Sequence, residues 1–138
     1  MDVELPENYR PGKKEKFMNE NQREYFRRKL TAWRNELLEE YRETRNHLEK
    51  GDRAGSDFAD MASAETDNVL ELRTRDRERK LVGKIDQALE RVENGTYGFC
   101  SETGNPIGLA RLEARPIASL SIEAQERHEE QEIRNSRG

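Results

Sequence analysis

Phe26, Leu30, Trp33, Leu37, Tyr41, Thr44 and Leu48 recur at steps of three and four residues. Such spacing puts one apolar seam on an α-helix and leaves the intervening Arg, Lys and Glu to water. It predicts a long helix from Asn19 to about Lys50, where GDRAGS supplies two glycines and polar turn formers. A second set, Ala62, Val69, Leu72, Val82, Ile85, Leu89 and Val92, predicts another helix that Asn94-Gly95 stops. Its middle, Thr74 to Lys80 (TRDRERK), has no apolar residue. Gly83 costs that helix about 1 kcal/mol relative to alanine and is an expected place for a bend. Helices of about 30 residues span about 45 Å each. Neither stripe is wide enough to stand alone, so residues 19–95 are expected to close as an antiparallel coiled-coil hairpin with its tip at 49–61.

Composition agrees with an elongated molecule. Of 138 residues, 32% are apolar and 39% charged, which rules out a large globular core. Basic and acidic residues nearly cancel, 25 against 29 for a net charge of -4, which disfavours a phosphate-tracking nucleic-acid binder and favours a protein partner. The start, MDVELPENYRPGKKEKF, lacks the apolar run of a signal peptide, and no segment approaches the roughly 20 apolar residues of a membrane span, so a cytoplasmic location is expected. The single cysteine, Cys100, excludes an internal disulfide; with no neighbouring Lys, Arg or His to lower its pKa it is expected to be an inert thiol, with oxidation as a regulatory switch the alternative.

Residues 1–18, with Pro6, Pro11 and Gly12 among charges, read as a poorly ordered arm. Residues 96–122 return to short apolar elements, in which Tyr97, Phe99, Ile107, Leu109, Leu112, Ile117, Leu120 and Ile122 are the candidate core of a small lobe. Residues 123–138 read as a final polar helix that frays. The fold class is therefore mainly α: a long hairpin, a small lobe and a C-terminal helix. None of G-x-S-x-G, a P-loop, G-x-G-x-x-G or H-E-x-x-H occurs, so no enzymatic activity is expected.

Three constellations carry the functional reading. Asp57 and Asp60, with Ala62 beyond, lie where the chain enters the second helix; in isolation such acids read as N-caps and first-turn charges. The alternative is that acids at the end of a long arm reach into a channel towards a metal or basic groups, and two carboxylates also hold Mg2+ weakly through water. Arg73, Arg77 and Lys80 share one helix face, either as a solvated face salt-bridged with Asp76 and Glu78 or as a docking surface for an acidic partner. His47 and His128 are isolated on polar helices and read as surface residues. Finally, Cys100-x2-Thr103-x17-Ser121-x2-Ala124 has the spacing of a four-cysteine zinc site with three ligands replaced.

Met18 to Glu40 (MNENQREYFRRKLTAWRNELLEE), the tip DFADMA, Leu70 to Ile85 (LELRTRDRERKLVGKI) and YGFC…IGLARLEARP…LSIE together resemble the DksA family of RNA polymerase-binding transcription factors, over about residues 17–125. The resemblance implies a coiled-coil arm that enters the secondary channel of bacterial RNA polymerase. Its D-x-x-D-x-A tip, matched by Asp57, Asp60 and Ala62, approaches the active centre and modulates open-complex stability together with ppGpp, without sequence-specific DNA binding. With polymerase as the partner, Arg73 and Arg77 on the basic face are the candidate docking residues. Lys84 and Arg115 match two basic ppGpp-binding positions and Leu81 a nearby apolar contact, whereas a third basic position is Gln125 here. The resemblance also identifies Cys100, Thr103, Ser121 and Ala124 as the zinc positions; hydroxyls are poor zinc ligands and alanine is none, so a zinc-free, monomeric member is expected. Two alternatives stay open: a Gre-like stimulator of transcript cleavage with Mg2+ at the tip acids, and a coiled-coil assembly protein.

Overall fold

The structure, a computed structural model, describes the backbone of residues 3–51 and 58–137, with side chains over 3–43 and 66–136. Four helices follow in order: α1 (Glu20–Gly51), α2 (Phe58–Asn94), α3 (Leu109–Ala114) and α4 (Ile122–Arg137). The chain divides into two compact units, Ala32–Asp86, and Met1–Thr31 with Gln87–Gly138.

The unit Ala32–Asp86 is a helical hairpin. Arg34 Nε donates to Asp86 Oδ1 at 2.6 Å, and Arg75 donates to the Tyr41 hydroxyl at 2.7 Å. As numbers rise along α1 they fall along α2, so the helices run antiparallel. Leu37 and Ile85 are buried, and Trp33, Tyr41, Leu81 and Val82 half-buried, while Thr44, Leu48 and Ala62 lie outside the described side chains. Val69 and Leu72, expected in the seam, are instead 48% and 51% exposed. The half-buried face of α2 is Asn68, Glu71, Arg75, Glu78 and Val82, which has the right three-and-four spacing but polar residues. In place of apolar contact, the Arg75 guanidinium lies 4.8 Å from the centroid of the Tyr41 ring. Burial and the nearby Glu40 push the Glu78 carboxyl up, against the pull of Arg75. Beside it Leu38, Tyr41, Glu78, Arg79 and Val82 line a cleft of about 240 Å³. Gly83 is exposed inside an unbroken α2.

The other unit has a small core made of Phe26, Leu30, Ala88, Val92, Tyr97, Cys100, Ile107, Leu112, Ala118 and Ala124. Phe26 packs on Tyr97 with ring centroids 5.6 Å apart, and the Arg23 guanidinium donates to the Val92 carbonyl at 2.6 Å. Leu89, Phe99, Leu109, Ile117 and Leu120 are half-buried. Ile122, expected in this core, is exposed because it opens α4 beside the buried Ser121.

The N-terminal segment departs from the expected loose arm. The Glu15 carboxylate accepts hydrogen bonds from the Tyr9 hydroxyl at 2.7 Å, the Gly12 N–H at 3.0 Å and Asn19 Nδ2 at 3.2 Å. Phe17 stacks edge-on against Phe99 at 5.5 Å. Asn19 caps α1, its Oδ1 accepting the Gln22 N–H at 2.9 Å, while the buried Gln22 returns its own Oε1 to the Met18 N–H at 2.7 Å. Anchors of this kind outweigh the chain entropy that Pro and Gly composition alone implies.

Candidate functional site

Asp57 lies outside the described residues, and Asp60 and Ala62 stand in the first turn and a half of α2 with side chains outside the described set. Farther along α2, Arg73, Arg77, Lys80 and Lys84 recur at i, i+4, i+7 and i+11, which keeps them on one helix face. All four are exposed, and Leu81 is half-buried beside them. The acids of the same run are partly used locally, Asp76 accepting from Arg79 at 2.8 Å, so this face carries a surplus of positive charge.

Arg115 belongs to the other unit, at the C-cap of α3, and is exposed. Its backbone is fixed on every side. The Arg115 N–H reaches the Arg111 carbonyl at 2.7 Å and its own carbonyl accepts the Ala118 N–H at 3.0 Å. The Tyr97 hydroxyl donates to the Pro116 carbonyl at 2.8 Å, and Lys29 Nζ meets both the Glu113 carbonyl at 3.2 Å and its carboxylate at 2.7 Å. Sequence reasoning placed Tyr97 in the core but missed its hydroxyl and missed Lys29 altogether; the partners lie 19 and 84 residues away, where no local pattern reaches.

The finger frame persists without its ligands. Cys100 and Gly98 face Asn105 and Ile107 through N–H···O bonds of 2.8 Å each, and the Ser101 N–H reaches the Ser119 carbonyl at 2.8 Å. Gly98, at φ 90°, packs so tightly that a Cβ there would stand 2.7 Å from Met18 Cγ. Ser121 Oγ accepts the Ala124 N–H at 3.3 Å and so caps α4. Burial pushes the Cys100 thiol up, but the Thr103 hydroxyl and the N–H groups of Ser121, Thr103 and Glu102 outweigh it and hold the thiol at about 6. The groups that lower it are hydrogen-bond donors rather than cations, and Cys100 itself is buried.

Comparison with known proteins decides the family. Residues 22–92 match the model of the DnaK suppressor protein DksA, N-terminal domain, and residues 95–130 match the prokaryotic dksA/traR C4-type zinc finger. The chain belongs to the DksA family. It is 64% identical over 124 residues to the RNA polymerase-binding transcription factor DksA of Caulobacter vibrioides, covering 90% of this chain and 87% of that one. It is 46% identical over 118 residues to the DksA of Escherichia coli strain K12, covering 86% and 77%. In structure it resembles transcription factor DksA2 from Pseudomonas aeruginosa, with a TM-score of 0.80 and 46% identity over 85% of this chain and 90% of that chain. The helical hairpin expected from the seam is therefore the family's fold.

The residues at the C4 finger positions do not fit zinc here. One thiol, two hydroxyls and a methyl group replace four thiolates, and the Ser121 oxygen is already committed to a backbone N–H. Among the described residues no group of three His, Cys, Asp or Glu side chains could hold a metal ion, and no helix is long and apolar enough to cross a membrane.

Proposed function

We propose that this chain binds bacterial RNA polymerase and regulates transcription initiation without catalysis of its own. The carrying observation is the match to DksA factors along both the hairpin and the finger, at 64% identity to one whose name states polymerase binding. In this reading the hairpin of residues 19–95 enters the secondary channel, with Asp57, Asp60 and Ala62 at its tip near the active centre. Arg73 and Arg77 dock on the polymerase; their exposure on a positively charged face supports that role. The factor changes open-complex stability together with ppGpp, for which Leu81, Lys84 and Arg115 supply an apolar contact and two cations that suit pyrophosphate. Gln125 in place of a third cation weakens the alarmone response. The chain works as a zinc-free cytoplasmic monomer, with residues 96–122 as a lobe and 123–138 as a C-terminal helix, and reads no DNA sequence.

Transcription in vitro from a stable-RNA promoter, with purified polymerase and this protein, tests the proposal. Initiation should fall when the protein is added and fall further with ppGpp. Unaltered initiation under both conditions overturns it, and shortened transcripts in stalled complexes would assign the cleavage role instead.

A further inference from the structure

The segment Arg10-Pro-Gly-Lys-Lys-Glu-Lys16 holds four basic side chains in seven residues of a chain that is net acidic. Charge runs are ordinarily neutralised by interleaved acids, and Glu15 is the one acid inside this run. Its carboxylate is turned inward, accepting from the Tyr9 hydroxyl, the Gly12 N–H and Asn19 Nδ2, which together hold it below the usual carboxylate range. The backbone is turned back on itself at both ends, Glu15 N–H to the Gly12 carbonyl and Asn19 N–H to the Lys16 carbonyl at 3.2 Å each. Lys13, Lys14 and Lys16 are left exposed, and their side chains make no hydrogen bond or ion pair among the described residues. Arg10 is electrostatically tied to Glu113 and contributes less.

We infer that Lys13, Lys14 and Lys16 form a weak, sequence-independent docking patch for the phosphodiester backbone of nucleic acid. A protein partner fits the patch less well. Interface cores are depleted in lysine and anchored by aromatic, Met or Arg side chains, whereas the large aromatics here, Tyr9 and Phe17, are half-buried in contacts of their own. Phosphate neutralisation asks only for closely spaced cations, and seven residues keep these within about 25 Å even when fully extended. The balanced charge of the whole chain argues against a dedicated DNA binder, and the proposal agrees: three contacts give binding in the weak non-specific range. The patch gains weight when the chain is already held beside nucleic acid, since tethering raises local concentration.

Fluorescence anisotropy of a labelled short DNA duplex with the free full-length protein tests this without polymerase, so the outcome is independent of the function proposed above. Binding should be equal for unrelated sequences and weaken with salt. The triple variant Lys13→Gln, Lys14→Gln, Lys16→Gln should lower the slope of log K against log salt by about 2 to 3, because each phosphate contact contributes about 0.9. The triple Lys→Arg variant should restore it. No binding by the unaltered protein at low salt, or an unchanged slope in the Gln variant, overturns the inference. A Gln variant that keeps its DNA slope but loses polymerase affinity overturns it too and assigns the patch to an acidic protein surface.

Discussion

Gly98 and Gly83 are the same residue type under opposite constraints. Gly98 sits at φ 90° with Met18 Cγ where a Cβ would go, so Gly98→Ala should cost about 2 kcal/mol or more through backbone strain and displacement of Met18. Gly83 is exposed within α2 and a Cβ there meets nothing, so Gly83→Ala should stabilise by about 0.5–1 kcal/mol. Urea denaturation midpoints moving in opposite directions would check both. Glu24 gives a pH-dependent counterpart. It is buried on α1 and held by Arg27 and Arg28, above all by the Arg27 hydrogen bond, against the opposing effect of burial, so that its carboxyl falls from 4.5 to about 2. A carboxyl depressed by folding adds stability that is complete above its unfolded pKa and is lost as pH falls through the folded one. Unfolding titrations should therefore show Glu24→Gln losing its penalty between about pH 4.5 and about pH 2. The penalty itself is on the order of 1 kcal/mol, since both arginines are partly exposed and screened. The helix stop at Asn94-Gly95 was visible in the chain, because it acts within a turn of itself, whereas the Asn19 cap and the crowding at Gly98 were not read from it. Nor were buried Glu24 and the Tyr97 hydroxyl, since their roles depend on what folds against them.

At the scale of elements, periodicity located α1 and α2 but placed the middle of the seam wrongly. Val69 and Leu72 carry the apolar spacing, yet Val82, Ile85 and Val92 fix the register of α2, and extending that register back puts Glu78, Arg75, Glu71 and Asn68 inward. Apolar residues alone do not vote on register where a long stem such as Arg75 can cover Tyr41 instead. The finger shows the converse. Its spacing survives in the sequence, and backbone hydrogen bonds and the Tyr97 anchor hold its turns. Tyr97→Phe should consequently cost about 1–2 kcal/mol by leaving the Pro116 carbonyl without its buried donor, measurable by thermal unfolding. Protein purified without chelator should carry less than one equivalent of zinc by metal analysis, and chelation should leave its melting curve in place; stoichiometric zinc would contradict the account of this element.

For the whole molecule, composition set the limits correctly: a chain with 39% charged residues builds long helices that bury one face. What composition did not reveal is that the N-terminal segment is pinned by Glu15 and that its lysines are thereby released to the surface. In the function proposed above, the hairpin delivers a few charged groups to a larger partner. The most direct measurement is regulation of a stable-RNA promoter by Asp60→Asn, made alongside its affinity for polymerase. The substitution removes one charge and keeps the shape of the side chain, so affinity should be largely retained while regulation is lost. A variant that binds and regulates as the unaltered protein does would contradict the claim that the hairpin acts through its acidic tip.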